Sequence, residues 1–346
     1  MIKNIVIIGG GWYGCYAALL LQDTYNVILI EKASNIFENA SYYNQNRLHI
    51  GYHYVRSYKT RNLCKKGFFK FIDKFSSENI INKIDNNLYL ISVNSIVDYE
   101  TINSIYKYEN YEYNIIKNTL FKNVNKNILQ VNECVINSEK AKQFFINNLK
   151  CKKLFDKKII KINSTNNIQQ IIFDNNDILD SDFIIDCTYN SLNLSSKKYL
   201  YEKTISLLFK KIKNVNFDAI TIIDGNFCSL YPHDISNNIY TLTDVEYTPL
   251  ITSNNIDDIN NYILDEDKLN NVKINMLSRI KYYYNDFENY FEYLGFFTSN
   301  KTKLISKTDS RECNIEKIGD NLLTINCGKI TGIFDMEDYF RDVKLI

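Results

Sequence analysis

Proline is nearly missing from this chain, with 2 in 346 residues, and glycine is sparse at 11. Turns are therefore weakly marked, and elements must be read from hydrophobic periodicity. The matching excess of Asn, Ile, Lys and Tyr reads as the bias of an AT-rich genome rather than as function. Charge of one sign is lacking too. The 41 basic and 40 acidic side chains nearly cancel, and no basic stripe stands out, so a nucleic-acid partner gets no electrostatic support. No apolar run approaches the roughly 18 residues of a transmembrane segment. The sequence opens directly into strand-like residues, which leaves no room for a cleavable signal. The 8 cysteines are scattered, as at Cys15, Cys64, Cys134 and Cys187, without a CxxC pair. That spacing speaks against a metal centre and for reduced thiols in a cytoplasmic setting. Internal repeats and flexible linkers are absent, and the length suffices for a full core and two domains.

What is present starts at once. Ile5 to Ile8 reads as a strand, followed by Gly9-Gly10-Gly11-Trp12-Tyr13-Gly14, a helix from Cys15, and a second strand, Val27 to Ile30, closed by Glu31 and Lys32. Each part answers a demand of dinucleotide binding. Gly9 permits the tight turn, Gly11 lets the backbone approach a pyrophosphate, and Gly14 lets the helix pack on the sheet. The helix N-terminus offers free N–H groups and a positive dipole end. Glu31 can accept hydrogen bonds from ribose hydroxyls. A glycine motif in register with strand, helix and closing acid is a strong signal.

Further along, 41–67 (SYYNQNRLHIGYHYVRSYKTRNLCKKG) begins as a polar loop and turns helical from about Lys59, with Leu63, Gly67, Phe68 and Phe71 on one side. Residues 88–93 read as a strand, and 98–125 as polar, tyrosine-rich sequence without periodicity. A helix is expected over 138–150, capped by Asn137 or Ser138. Strand-like runs follow at 158–162, 168–173 and 183–186, then at 204–210, 219–223 and 239–243, the last three suiting an antiparallel sheet. The aromatic run 281–293 reads as a helix with a packing face.

The 41–67 segment resembles the loop after the dinucleotide fold in the D-amino-acid oxidase-like (DAO) superfamily of FAD-dependent oxidoreductases. It looks closest to the L-2-hydroxyglutarate oxidase/dehydrogenase branch, whose pattern HxGxxYxxxSxKxxxCxxG is met, with a slight shift of register, by His49, Gly51, Tyr54, Ser57, Lys59, Cys64 and Gly67. Later landmarks also fit: Val135 to Asn137, the strand around Ile160 beside the adenine, the turn from Asp186 through Thr188 to Asn190, and the glycine turn Gly328-Lys329-Ile330. The substrate half shows no match to that branch's substrate-binding pattern.

The resemblance implies an α/β fold in which a Rossmann-like, glutathione-reductase-type FAD domain (1–80, 135–205 and 305–346) interleaves with an antiparallel substrate domain (81–134 and 206–304). It implies FAD on Gly9, Gly11, Trp12, Tyr13, Gly14, Glu31, Lys32, Arg47, Leu48, Ile160, Thr188, Gly328, Lys329 and Ile330. Two of only 3 histidines, His49 and His53, flank Gly51 in the loop that family position puts beside the flavin. Either could take a substrate proton near neutral pH, merely shape the loop, or, as the resemblance to some superfamily members implies, carry a covalent histidyl–flavin bond. Lys329 would stabilise negative charge on the reduced flavin, or face solvent. Tyr54, His233 in a turn, and Arg311 are candidate substrate contacts. A guanidinium suits a carboxylate, although Arg311 could equally pair within Asp309 to Glu312.

The expected activity is hydride transfer from a C–H bearing a hydroxyl or amine (a 2-hydroxy acid, amino acid or amine) to flavin N5. The partners are a small-molecule substrate and an electron acceptor that the sequence leaves open. Two alternatives stand beside it. One is a biosynthetic flavoenzyme acting on a sugar or nucleotide-sugar, with tyrosines as stacking platforms. The other is a flavin- or NAD-binding module without turnover.

Overall fold

The structure is a computed structural model that describes residues 2–165, 168–305 and 312–346. In chain order the first elements are β1 (Asn4–Ile8), α1 (Trp12–Leu21), β2 (Asn26–Ile30), β3 (Arg47–Leu48), α2 (Tyr58–Phe75), β4 (Ile81–Ile91), α3 (Tyr99–Tyr108), β5 (Tyr113–Lys117), β6 (Asn127–Ile136) and α4 (Ser138–Asn148). Then come β7 (Lys152–Leu154), β8 (Ile159–Thr165), β9 (Ile168–Phe173), β10 (Ile178–Ser181), β11 (Phe183–Asp186), β12 (Tyr199–Lys211), β13 (Ala219–Ile223), β14 (Cys228–Asp234), β15 (Ile239–Asp244) and β16 (Pro249–Ser253). The last are α5 (Ile256–Asn260), α6 (Glu266–Tyr283), α7 (Phe287–Tyr290), β17 (Phe291–Leu304), β18 (Asn314–Ile318), β19 (Leu322–Asn326) and α8 (Ile333–Asp342).

Three sheets organise them. The first has the order β18-β19-β11-β1-β2-β7, parallel except for the β18–β19 hairpin. Its strands read as near-continuous apolar runs because both faces are covered. One face packs against α1, α2, α4 and α8, and the other meets the small β8-β9-β10 sheet. The third sheet has ten strands and is antiparallel apart from the β4–β13 pair, which joins 81–91 to 219–223. Helices α6 and α7 close its outer core. This is the expected mixed α/β class. The ten-stranded sheet also takes in β3 and all of β12, so it begins earlier than the 205/206 boundary read from sequence.

Asn137 caps α4 as expected, its side chain accepting from Lys140 N. The stretch 98–125 holds a helix that the sequence reading passed over. Asp98 caps α3, and Tyr99, Ile102 and Tyr106 bury one face. The aromatic run 281–293 is not one helix. It is divided among the end of α6, the short α7 and the start of β17, with Tyr284 as the C-cap of α6.

The loop between β3 and α2 is held from behind. Arg61, 4 % exposed, donates to the carbonyls of Tyr54 (2.9 Å) and Val55 and forks onto Glu109, with Nε at 2.9 Å from Oε2. Gly51, at φ +118°, lies so close to the Arg61 backbone that a side chain there would collide with it. Replacing Arg61 by Met strands two carbonyls and a carboxylate of low exposure. Arg61→Met should lower unfolding stability by about 3 kcal/mol in urea titrations, the scale for breaking a buried pair from one side.

Candidate active site

A cavity of about 720 Å³ runs between the two large sheets. That volume is typical of small-molecule and cofactor sites. Its wall begins with the glycine turn. Gly9 has φ +102°, and a Cβ on it would lie 2.7 Å from the Cys187 carbonyl oxygen. Gly11 precedes the first turn of α1 and opens onto the cavity, where Ser41 Oγ accepts from Trp12 N at 2.9 Å. The Trp12 ring points away into a cage of Phe37, Phe71, Phe75 and Phe145, with centroids 5.2–5.9 Å apart, so Trp12 serves the site through its backbone. Glu31 spans the turn: Oε2 accepts from Gly10 N (2.6 Å) and Oε1 from Ala33 N (3.0 Å). Tyr13 Oη donates to the Lys329 carbonyl at 2.6 Å, fastening the turn 327–331 to α1.

The cavity is lined by Gly9, Gly11, Trp12, Tyr13, Glu31, Lys32, Arg47, Thr188, Gly328, Lys329 and Ile330, and by His49, His53 and Tyr54. Other expected residues are placed differently. Leu48 lies in the core beneath the wall, because strand alternation turns it away from the face that Arg47 and His49 present. Ile160 points outward, 56 % exposed, and its neighbour Ile159 lines the cavity instead, next to a register shift in β8. Gly14 does not face the cavity; a Cβ on it would sit 1.8 Å from the Gly9 carbonyl oxygen, so its part is helix packing. His233 is in β14 rather than an exposed turn. It stands behind the wall, its Nδ1 3.2 Å from Asn46 Nδ2 and its ring against Phe297, and burial lowers its pKa. Arg311 falls outside the described residues.

Among the described residues Arg47 carries the one guanidinium of the wall, and it is already committed. It donates to Tyr89 Oη (2.8 Å), sits over the Tyr231 ring (4.5 Å) and lies 3.8 Å from the fully buried Glu133. Burial opposes its charge, yet Tyr89, Tyr231 and Glu133 together push its pKa upward. His49 Nε2 lies 3.2 Å from Lys329 Nζ, and Lys329 in turn rests over the Tyr54 ring at 4.6 Å. Burial holds the imidazole well below its ordinary pKa, and Lys329, Arg47 and His53 press it the same way, so it is neutral. Its Nδ1 has no hydrogen-bond partner.

The opposite wall was not foreseen. Thr204 and Ser206 of β12, Ser229 of β14 and Thr243 of β15 face the cavity with Gln45. Ser229 Oγ is 3.1 Å from Gln45 Oε1 and 3.2 Å from Thr243 Oγ1. A faint signal existed in β12, where Thr204 and Ser206 hold alternate places around Ile205. Glu202, also on the wall, is paired with Lys303 at 2.6 Å.

Comparison with known proteins agrees with this geometry. Residues 4–98 match the DAO family model, described as FAD dependent oxidoreductase. The chain is 29% identical over 340 residues to the FAD-dependent monooxygenase FPY4 of Fusarium mangiferae, covering 96% of this chain and 88% of that one. Its fold is similar to FAD-bound L-alpha-glycerophosphate oxidase from Mycoplasma pneumoniae (TM-score 0.75, 14% identity, 99% and 94% covered). It is also similar to glycine oxidase from Bacillus cereus (TM-score 0.74, 12% identity, 98% and 95% covered). The protein is an FAD-dependent oxidoreductase. Its family is DAO. The cradle suits that cofactor: a Cβ on Gly11 would meet Ser41 Oγ at 2.7 Å, within the space beside the α1 N-terminus where a pyrophosphate finds free N–H groups. Among the described residues no helix is long and apolar enough to cross a membrane.

Two predictions follow from this geometry. Gly11→Val fills the cradle and should give folded but colourless protein, read as flavin absorbance per mole after gel filtration; full FAD content would refute the placement. Asp186, at the end of β11, is 1 % exposed, and burial pushes its carboxyl up to about 6 despite hydrogen bonds from Thr188. A carboxyl raised above its unfolded value of about 3.9 contributes stability below pH ~4 and loses it as pH passes ~6. Asp186→Asn should therefore match the wild type near pH 4 and exceed it by about 2–3 kcal/mol at pH 7 in denaturant titrations. An unchanged gap across that range would refute the shift.

Proposed function

We propose that this chain oxidises a small polar amine, amino acid or 2-hydroxy acid, bound between the turn 327–331 and the hydroxyl-bearing wall. The adenosine end of FAD is assigned to Glu31, Lys32 and Thr188, its pyrophosphate to the turn Gly9 to Gly14, and the ring end to the neighbourhood of Arg47, Gly328, Lys329 and Ile330. FAD, when bound, supplies the hydride acceptor. The domains follow the sheets, the parallel one carrying the cofactor and the ten-stranded one the substrate.

The observation that carries the reading is the link between Lys329 and His49. An ammonium group only donates, so Lys329 occupies the Nε2 lone pair and leaves the proton of the neutral ring on Nδ1. His49 is thereby a hydrogen-bond donor toward a substrate oxygen or carboxylate. Proton acceptance falls to His53, which lines the same cavity. Ser206, Ser229, Thr243 and Gln45 supply alternating donors and acceptors that fit a small polar molecule. The likeness of the 49–67 loop to the L-2-hydroxyglutarate branch supports 2-hydroxy acids, and the fold of glycine oxidase supports amino acids.

A second reading rests on the relative that spans 96% of this chain and is named a monooxygenase. The two part in one experiment. FAD-loaded protein is mixed anaerobically with amino acids, amines, 2-hydroxy acids, glycerol phosphate and sugar derivatives while the visible flavin band is followed. Bleaching by one of these, without a nicotinamide, is the expected result. Bleaching by NADH or NADPH alone would overturn it in favour of the monooxygenase. With the bleaching substrate, His53→Asn should keep FAD yet slow reduction by about 10²–10⁴-fold, the range for losing a general base. His49→Phe should slow it by about 10²-fold through the lost donor. Wild-type rates in both variants would show that this loop has only a structural part.

A further inference from the structure

Cys313 and Cys327 stand opposite each other where the β18–β19 hairpin ends. The register pairs Asn314 with Asn326, so one step further pairs residue 313 with 327. Opposed residues of an antiparallel pair have Cα atoms about 4.5–5.5 Å apart, inside the 4.4–6.8 Å that a disulfide spans. Continued by that one step, the register turns both side chains to the same face of the hairpin, and the two thiols are near enough to shift each other's titration. Neither is joined in a disulfide, and both are partly exposed. Cys327 forms part of the main cavity wall and also lines a second hollow of about 230 Å³ between α2 and α8.

The surroundings make Cys327 the reactive member. Its Sγ accepts from Lys329 N at 3.4 Å, and the Tyr13 hydroxyl adjoins it. Cys313 comes first among the groups that lower its pKa, burial opposes it, and the hydrogen bond from Lys329 N adds to the lowering. Cys313 is raised as the proton-holding partner. A thiolate next to a resolving thiol is the arrangement of redox-sensitive cysteine pairs.

We propose that Cys313 and Cys327 are a redox-active dithiol site that a hydroperoxide closes into a disulfide. Cys327 sulfur attacks one peroxide oxygen, the O–O bond breaks, and with hydrogen peroxide the products are a sulfenic acid and hydroxide, which takes up the proton. The Cys313 thiol then attacks the sulfenyl sulfur, the S–O bond breaks, and water leaves with the thiol proton. Two thiols are oxidised and one peroxide is reduced to two waters. Closure draws Cys327 Sγ away from Lys329 N and Tyr13, and so loosens the turn that presents Lys329 to His49. The site stands whatever the cavity oxidises; only peroxide made in turnover would rest on the oxidase reading.

The test therefore adds hydrogen peroxide to resting, FAD-loaded protein without substrate, then alkylates the remaining thiols and maps peptides by mass spectrometry. Expected is a Cys313–Cys327 linked pair, lighter by two hydrogens and restored by dithiothreitol, formed at least about tenfold faster than oxidation of Cys151, a partly exposed thiol with a raised pKa. In Cys313→Ser the reaction should stop at a sulfenic acid on Cys327 that dimedone captures. Recovery of both Cys313 and Cys327 alkylated in the wild type, under peroxide that has oxidised Cys151, would overturn the proposal. So would a dimedone adduct confined to Cys313 in Cys327→Ser with none on Cys327 in Cys313→Ser.

Discussion

Between the Gly9 carbonyl and the Gly14 α-carbon there is no room for a methyl group, and that contact sets the position of α1 against β1. With the helix drawn in this far, the Trp12 ring reaches its four phenylalanines and Tyr13 can bond the Lys329 carbonyl. The same approach turns the first backbone N–H groups of α1 toward the cavity rather than into the core. A bulkier residue at position 14 would push the helix outward and move all three together, because packed interiors transmit such shifts instead of absorbing them.

The wall beside His49 depends on a different kind of constraint. Arg47 and Glu133 are charged groups removed from water; Tyr89, Asn87 and the Ile50 backbone bond them, while Arg47 Nε is left without a partner among the described residues. Burial raises the Glu133 carboxyl, while Arg47 and these donors pull it back. Such a network adds little net stability but fixes one geometry, since a half-satisfied version is costly. Arg61 does the same for the loop behind it. The two arginines thus hold His49, His53 and Tyr54 from opposite sides of a segment with almost no regular structure of its own.

Much of this was legible beforehand. The β1–α1–β2 unit and Glu31 could be read because each glycine answers a local steric demand. The interleaved two-sheet class followed from the resemblance. What failed was parity. Leu48 and Ile160 were assigned by segment, but strand alternation gives a segment two faces, and a two-residue strand or a register shift hides which face is which. Helix α3 was missed because its buried face is largely tyrosine, which in this tyrosine-rich chain looked like surface. Thr204, Ser206, Ser229 and Thr243 carry no motif; their significance appears only when β12 lies beside the β14–β15 hairpin. His233 looked like a turn residue because Pro232 precedes it, yet both belong to β14.

The cavity wall has a timetable as well as a shape. Its first turn is made by residues 9–14, but β19 and the turn bearing Lys329 come more than 300 positions later, and Tyr16 ends its hydrogen bond on Glu337. At a ribosomal pace of about 5–20 residues per second, the opening strand precedes β19 and the Lys329 turn by on the order of 15 seconds or more. Until then the sheet ends at β11, which itself follows β1 by well over 100 residues, and the cofactor cradle has one side only. Cofactor loading is therefore a late event in the life of each molecule, and the nascent β1–α1–β2 unit is the stretch a chaperone has most reason to cover.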